Sequence, residues 1–297
     1  MAITKVAIAG GTGNLGPAIV KALLDADFEV TLLTRSTLDE QDPRTKIEVV
    51  DYDSLDSLTK ALAGQDALVS VLGYGTIPEE IHLRVVDAAY KAGLQRVIPS
   101  EFGSDTTHPL VAQLPVLAGK IALLKHLQEL AEEDKAFTWT AVFNGPFLDW
   151  GLKENFILDL QGPVTPIYNG GDVLFSTTTR DGIAQAVVGV LKHPDETKNR
   201  PVFVAETEIS QNQLLQMSGQ AHVISIESVR TEDLEQRAMD ALQRTPPDHH
   251  LFAKNMIWRA IFSRDHGNQF LQLDNELLGV RELDEAEVIE IVKQNCS

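Results

Sequence analysis

The sequence has little cysteine and little positive charge, and both shortages exclude functions. Cys296 is the only cysteine in 297 residues, so an internal disulfide and a thiolate metal site are excluded. Lys and Arg total 25 against 43 Asp and Glu, which gives a formal net charge of −18. A surface this acidic repels nucleic-acid phosphates and anionic lipid headgroups. We therefore expect a small-molecule partner, with no nucleic acid and no membrane.

Long apolar runs are also missing. No run approaches the roughly 18 residues that span a bilayer. The N-terminal MAITKVAIAGG enters an apolar strand at once and lacks a signal-peptide pattern. We expect a cytoplasmic protein. The sequence leaves the oligomeric state open, as a monomer or a homodimer.

Short apolar runs alternate with amphipathic segments through the first half of the chain. The predicted strands are Val6–Ala9, Val30–Leu33, Ile47–Val50, Ala67–Val71, Arg96–Ile98 and Thr138–Phe143. The predicted helices are 14–26, 54–63, 79–92 and 119–131. Strands rich in Val and Ile that alternate with helices imply a parallel sheet covered on both faces. The predicted fold class is therefore α/β, a Rossmann-type doubly wound parallel sheet.

The pattern loosens after residue 143, where Gly and Pro become frequent. A strand and a helix return over 173–191, with Thr179 as the predicted N-cap. Further helical patterns lie at 211–217, 231–242, 251–262 and 284–293. We expect a first domain over residues 1–150, to which the 173–205 unit is a candidate to return. Residues 151–297 are expected to form a smaller α/β substrate-binding domain.

A glycine-rich loop follows the first predicted strand. VAIAGGTGNLG, residues 6–16, runs from an apolar strand through G-x-x-G-x-x-G into an amphipathic helix. Such a turn brings backbone N–H groups close to a pyrophosphate at the positive end of a helix dipole. This context favours a dinucleotide site over an ordinary glycine turn. The residues predicted to bind the cofactor here are Gly10, Thr12, Gly13, Asn14, Leu15 and Gly16.

The second predicted strand ends in LLTRST, residues 32–37. NAD-binding chains carry an acidic residue near this place to hold the ribose 2′-hydroxyl. Here Arg35 and Ser36 stand instead, and a guanidinium is suited to grip a 2′-phosphate through two hydrogen bonds. The alternative is a solvated loop arginine. The pattern predicts NADP(H) as cofactor, with residues 1–150 as the NADP(H)-binding domain.

The chain lacks several common catalytic signatures. None of its four tyrosines has a lysine four residues later, so the Tyr-x-x-x-Lys pair of most short-chain dehydrogenases is missing. It also has no G-x-S-x-G elbow and no H-x-x-x-H spacing, and we expect no metal. The adjacent His249 and His250 follow two prolines and are interpreted as a surface pair in a loop.

One segment, VIPSEFGSD at residues 97–105, resembles the isoflavone reductase-like group of atypical short-chain dehydrogenases, within the broader NmrA-like family. That group includes phenylcoumaran benzylic ether and pinoresinol–lariciresinol reductases. The likeness covers residues 4–150, through GGTGNLG, the arginine after strand two, DYD at 51–53, and PSEFG. It continues weakly through FSTTTRDGIAQAV at 175–187, and about the last 90 residues carry no matching motif.

The resemblance implies site residues that spacing alone does not reveal. In that group a lysine on the helix after PSEFG is catalytic, and Lys120 in LAGKIALLKHL matches its position. Lys125 matches a basic residue of no catalytic role. Further cofactor-binding positions implied by the match are Asp51, Gly73, Pro99, Ser100, Phe102, Asn144 and Phe147. Each of these is also open to a purely structural role in a turn. Lys120 is also expected to contact the cofactor.

The resemblance implies an NADPH-dependent reductase of a small, largely apolar, aromatic substrate of secondary-metabolism type. Lys120 would donate the proton or stabilise a developing oxyanion. Aromatic residues would wall the pocket or serve only as core: Phe147, Trp150, Phe156, Tyr168 and Trp258. Two alternatives stay open. One is a non-catalytic NADP(H) sensor, and the other is an isomerase or cyclase that uses the cofactor without net redox change.

Overall fold

A computed structural model describes residues 2–37, 42–221 and 225–295. Cys296 lies outside the described residues. The strands are β1 (Lys5–Ala9), β2 (Glu29–Thr34), β3 (Lys46–Val49), β4 (Ala67–Ser70), β5 (Arg96–Ile98), β6 (Thr138–Phe143), β7 (Thr165–Tyr168), β8 (Phe175–Thr177), β9 (Arg200–Phe203), β10 (Thr207–Ile209) and β11 (Ile226–Val229). The helices are α1 (Gly16–Asp25), α2 (Leu55–Leu62), α3 (Glu79–Lys91), α4 (Ala118–Glu133), α5 (Leu148–Lys153), α6 (Arg180–Lys192), α7 (Pro194–Thr197), α8 (Gln211–Met217), α9 (Glu232–Leu242), α10 (His249–Phe262), α11 (Asn275–Leu278) and α12 (Glu285–Asn295).

A seven-stranded parallel sheet forms the centre, in the order β3-β2-β1-β4-β5-β6-β9. Successive side chains of a strand point to opposite faces. Val6 and Ile8 of β1 therefore pack in the cluster that includes α1 and α6. Ala7 and Ala9 pack in the opposite cluster, against α2, α3 and α4. The predicted doubly wound α/β fold is confirmed, and its first-half elements lie within about two residues of the predicted ones.

The chain returns to this sheet after residue 173 through β9, which pairs with β6. A buried arginine, Arg96 of β5, supports the return. Its guanidinium donates hydrogen bonds to β6 and to α7, the helix directly before β9. The acceptors are Thr138, Thr140, Thr197 and the Pro194 carbonyl oxygen. Burial lowers the pKa of Arg96 to about 10. The predicted strand near residue 173 is β8, and it pairs with β10 outside the main sheet.

The remaining elements pack around a separate apolar cluster that draws on α5, α8, α10 and α12. Two small sheets belong to this part, β8 with β10 and β7 with β11. Thr179 caps α6 as predicted, because its side chain accepts a hydrogen bond from the Gly182 N–H. The interpretation of His249 and His250 as loop residues was wrong. They begin α10, because Asp248 caps that helix by accepting a hydrogen bond from the Leu251 N–H.

Within the described ranges, every helix is too short or too polar to cross a bilayer.

Candidate active site

The glycine loop lies at the carboxyl edge of the sheet, between β1 and α1. Gly10 has φ +89°, and a Cβ there would lie 2.8 Å from the Val71 carbonyl oxygen. A Cβ on Gly16 would overlap the Gly11 main chain. The Gly13 N–H closes the turn on the Gly10 carbonyl at 3.0 Å. Only glycine fits at positions 10 and 16, because backbone from neighbouring segments occupies the space of a side chain.

This loop leaves main-chain donors free at its tip. The N–H groups of Thr12, Asn14 and Leu15 have no acceptor among the described residues. Thr12, Gly13 and Asn14 are exposed, and α1 begins directly after them. Unpaired N–H groups at a helix start form an anion-binding site. The loop therefore fits a phosphate-bearing cofactor.

A cavity of about 330 Å³ opens beside the loop. It is lined by Gly10, Thr12, Gly13, Leu33, Thr34, Arg35, Ser36, Tyr52, Val71, Leu72, Gly73, Thr76, Ile77 and Ile81. Six predicted cofactor residues thus meet in one space, including Arg35 and Ser36, which are exposed. Asp51 is not on the cavity wall. Its neighbour Tyr52 is, with its hydroxyl donating to the Leu33 carbonyl oxygen at 2.9 Å.

A second set of predicted residues lies where β5 and β6 end. The Ser100 hydroxyl donates to the Leu72 carbonyl oxygen at 2.8 Å and so ties the end of β5 to that of β4. The Asn144 N–H donates to the Gly103 carbonyl oxygen at 3.2 Å, which joins the end of β6 to the loop after β5. Pro99 is buried. Phe102 and Phe147 are half-buried, and both pack against the apolar cluster that includes α1 and α6. Asn144 is fully buried, and its Oδ1 has no hydrogen-bond partner.

Lys120 lies in the first turn of α4 and reaches this second set. Its Nζ donates to the Glu101 carbonyl oxygen at 3.0 Å and lies 5.5 Å from the centre of the Tyr74 ring. Burial lowers the pKa of Lys120, and the negative charge of Glu101 opposes that shift. Lys125, by contrast, is exposed and lies 3.8 Å from Glu129. The two lysines of one helix therefore occupy different environments.

Glu101, inside the PSEFG segment, is a site residue that the sequence interpretation missed. Its side chain is fully buried. Oε2 accepts a hydrogen bond from the Thr106 hydroxyl at 3.0 Å, and Oε1 has no partner. Burial raises the pKa of Glu101, while Lys120 and Thr106 oppose the shift. The motif itself carried the signal, since Glu101 is its one ionisable residue.

Tyr74 and His82 were also missed. Their rings stack with centres 3.9 Å apart and planes 15° apart. His82 is 2% exposed, and neither ring nitrogen makes a hydrogen bond of normal geometry. Burial and the charge of Lys120 lower its pKa to about 4, against a weaker opposing contact with the main chain of Ile77. Burial also raises the pKa of Tyr74. A tyrosine and a lysine thus meet in space without Tyr-x-x-x-Lys spacing, and only the position of Tyr74 directly after Gly73 hinted at it.

The five aromatic residues considered as pocket walls form a continuous row. Neighbouring ring centres in this row lie 5.3 to 6.3 Å apart, in the order Phe147, Trp150, Phe156, Trp258 and Tyr168. Tyr168 is buried in the core of the second half. Phe147 and Trp150 are only half-buried and lie nearest to the end of β6. The row therefore starts at the candidate site and ends in the core.

In the part of the chain that the structure describes, no group of three or more His, Cys, Asp or Glu side chains is placed to hold a metal ion.

The sequence profile of the NmrA-like family matches residues 3–236. The chain belongs to the NmrA-like family. Oxidoreductase poxI of Penicillium oxalicum is 35% identical over 218 residues, covering 71% of this chain and 68% of the relative. Oxidoreductase aprR of Aspergillus flavus is 33% identical over 297 residues, covering 95% and 96%. These relatives confirm the prediction of an oxidoreductase.

Solved structures share the fold at lower identity. The structure named "AtPrR2 with NADP+ and (+)pinoresinol" has a TM-score of 0.72 and 20% identity, covering 99% of both chains. The structure named "Crystal Structure of Isoflavone Reductase" has a TM-score of 0.72 and 19% identity, also covering 99% of both. The predicted resemblance to the isoflavone reductase-like group is confirmed.

Proposed function

We propose that this NmrA-like protein is an NADPH-dependent reductase of a small, largely apolar, aromatic metabolite. The observation that carries the proposal is that the Arg35 cavity and the surroundings of Lys120 lie side by side along the carboxyl edge of one sheet. The cavity with Arg35 lies at the ends of β1, β2 and β4, and Lys120 reaches the adjoining loops after β4 and β5, at Tyr74 and Glu101. Cofactors bind at this edge in open α/β sheets.

The chain's own residues would hold NADPH from its adenosine end to its nicotinamide. Arg35 and Ser36 would bind the 2′-phosphate, and the free N–H groups of Asn14 and Leu15 would bind the pyrophosphate. Gly73, Pro99, Ser100, Phe102, Asn144 and Phe147 are the residues proposed for the nicotinamide end. When bound, NADPH supplies a hydride for an electron-poor carbon of the substrate. One of the structural neighbours, by its name, holds NADP⁺, which supports this cofactor.

Lys120 would hold a proton at Nζ and deliver it to the substrate, or stabilise an oxyanion there. Two features support this role. The hydrogen bond to the Glu101 carbonyl oxygen orients Nζ, and burial brings the pKa of Lys120 down towards the working range of a general acid. Lys125 is exposed, and its Nζ lies 3.8 Å from the Glu129 carboxylate instead.

The proposed substrate class rests on the aromatic side chains beside the candidate site. The half-buried rings of Phe147 and Trp150 provide apolar surface beside the end of β6, where an aromatic substrate would stack. We propose that residues 1–150, together with β9, form the cofactor domain. The rest of 151–297 would supply the substrate side, including these rings' neighbours Phe156 and Trp258.

The test begins with the cofactor and continues with turnover. Calorimetric titration of the full chain with NADPH and NADH should show tighter binding of NADPH. A library of aromatic enones, quinone methide precursors and benzylic ethers, followed by loss of NADPH absorbance, should then yield a substrate. NADPH binding with no turnover of any compound would instead support the non-catalytic sensor. Conversion of a substrate without NADPH consumption would support the isomerase or cyclase.

A further inference from the structure

One arginine from the second half of the chain touches the glycine loop. Arg180 is the first residue of α6, the helix that packs beside α1. Its Nη1 lies 3.5 Å from the carbonyl oxygen of Asn14, a residue 166 positions earlier in the chain. A positive charge is therefore placed at the tip of the loop, among the free N–H groups described above.

The guanidinium of Arg180 is held in this orientation by Asp149 of α5. Asp149 Oδ2 accepts a hydrogen bond from Arg180 Nε at 2.7 Å, and Oδ1 accepts one from the Arg180 N–H at 3.1 Å. Both hydrogen bonds to Asp149 thus come from Nε and the main chain, and among the described residues neither outer nitrogen bonds to this carboxylate. The side chain is 33% exposed, and Nη2 has no partner among the described residues.

An ion pair with Asp149 alone does not explain this arrangement. The contact with Asn14 is long for a hydrogen bond and adds little to folding. The need to bind an anion offers a better account of the orientation of Arg180. The chain carries a net charge of −18, so its electrostatic field repels a dianionic ligand. A fixed guanidinium with a free nitrogen, beside unpaired N–H groups, compensates for that repulsion and suits phosphate oxygens.

We propose that Arg180 binds the diphosphate of the dinucleotide from the start of α6. The second half of the chain would then contribute a cation to the site that the glycine loop forms. This inference rests on the proposed function. It assigns Arg180 to the diphosphate and Arg35 to the 2′-phosphate, and the two roles are separable with ligands that carry only one of these groups.

The test is calorimetric titration of the full chain with NADPH and with 2′-AMP, which has the 2′-phosphate but no diphosphate. Arg180→Ala should weaken NADPH binding about ten- to hundredfold, the range for lost hydrogen bonds to a charged group. It should leave 2′-AMP binding unchanged. Arg35→Ala should weaken both ligands. Arg180→Gln keeps most of the side chain without its charge, and should lose NADPH affinity likewise.

Lys192→Ala is the matched control, because it removes one exposed positive charge from the far end of the same helix. It should leave both affinities unchanged. Equal NADPH affinity of wild type and both Arg180 variants would overturn the inference, and Arg180 would then only join α6 to the loop. Equal loss of NADPH and 2′-AMP affinity in Arg180→Gln would also overturn it, because the effect would then be a general one on the loop. Failure of the wild type to bind NADPH and 2′-AMP at all would instead refute the proposed function.

Discussion

Lys120 Nζ and the carbonyl oxygen of Glu101 are joined by a hydrogen bond of 3.0 Å. This bond ties the first turn of α4 to the loop after β5, and so brings together two parts of the chain that the family resemblance treats as separate motifs. The Glu101 carboxyl group, buried below, supplies a charge that partly restores the affinity of Lys120 for its proton. Burial and the Glu101 charge thus act in opposite directions on the pKa of Lys120.

Replacing Lys120 with Ala should lower kcat by roughly 10²–10⁴, the contribution of a positioned general acid. Cofactor affinity should change little, because the phosphates are bound at the glycine loop and Arg35. Steady-state kinetics with a substrate from the library, together with NADPH titration, measures both quantities. Lys125→Ala is the control, since Lys125 is exposed on the same helix and should retain activity. Near-normal kcat in Lys120→Ala would refute the assignment.

Replacing Arg35 with Ala should weaken NADPH binding roughly ten- to hundredfold and leave NADH binding nearly unchanged. Only NADPH carries the 2′-phosphate that the guanidinium would bind. Arg44→Ala is a suitable control, because Arg44 is an exposed arginine that pairs with Asp42 at 2.7 Å and contacts the end of α1 rather than the cavity. Titration of both cofactors into all three proteins decides the matter. Equal affinity of the wild type for NADPH and NADH would contradict the role of Arg35.

The buried imidazole of His82 should make folding stability depend on pH. Its pKa falls from 6.5 to about 4 on folding, so below pH 6.5 the unfolded chain binds a proton that the folded chain does not. The contribution of neutral, buried His82 to the free energy of unfolding is therefore fully present above pH 6.5. It is lost as pH falls towards 4, by up to about 3 kcal/mol. Denaturant unfolding at several pH values measures this loss.

His82→Phe keeps a ring against Tyr74 and removes the titration. Its free energy of unfolding should fall less than that of the wild type between pH 6.5 and 4. His249→Phe changes an exposed histidine and should follow the wild-type curve. Parallel curves for His82→Phe and the wild type would show that His82 does not stay neutral in the folded protein.

Binding to DNA should be absent, because the net charge of −18 opposes contact with phosphates. Gel shift at low salt is the strictest test, since low ionic strength strengthens every electrostatic contact. A salt-sensitive shift at micromolar protein would contradict the expectation and favour a regulatory protein over an enzyme.

Local pattern was enough to predict much of this protein. The first six strands and four helices follow from apolar periodicity, because the faces of each element are set by residues two to four positions apart. The glycine loop follows for the same reason, since Gly10 has a positive φ and a side chain on Gly16 would meet Gly11 of the same turn, although the approach of Val71 to Gly10 is a tertiary contact. The resemblance to a known group added Lys120, which nothing in its local pattern distinguishes from Lys125.

Only the tertiary structure decided which distant residues meet. The pairing of β9 with β6, supported by buried Arg96, was no more than an open candidate in the sequence. The stack of Tyr74 on His82 beside Lys120 was hinted at only by the position of Tyr74 after Gly73, and the approach of Arg180 to Asn14 had no sequence signal. Such contacts depend on how whole helices and strands pack across the sheet, and that packing is set by many weak long-range interactions rather than by the spacing of neighbouring residues.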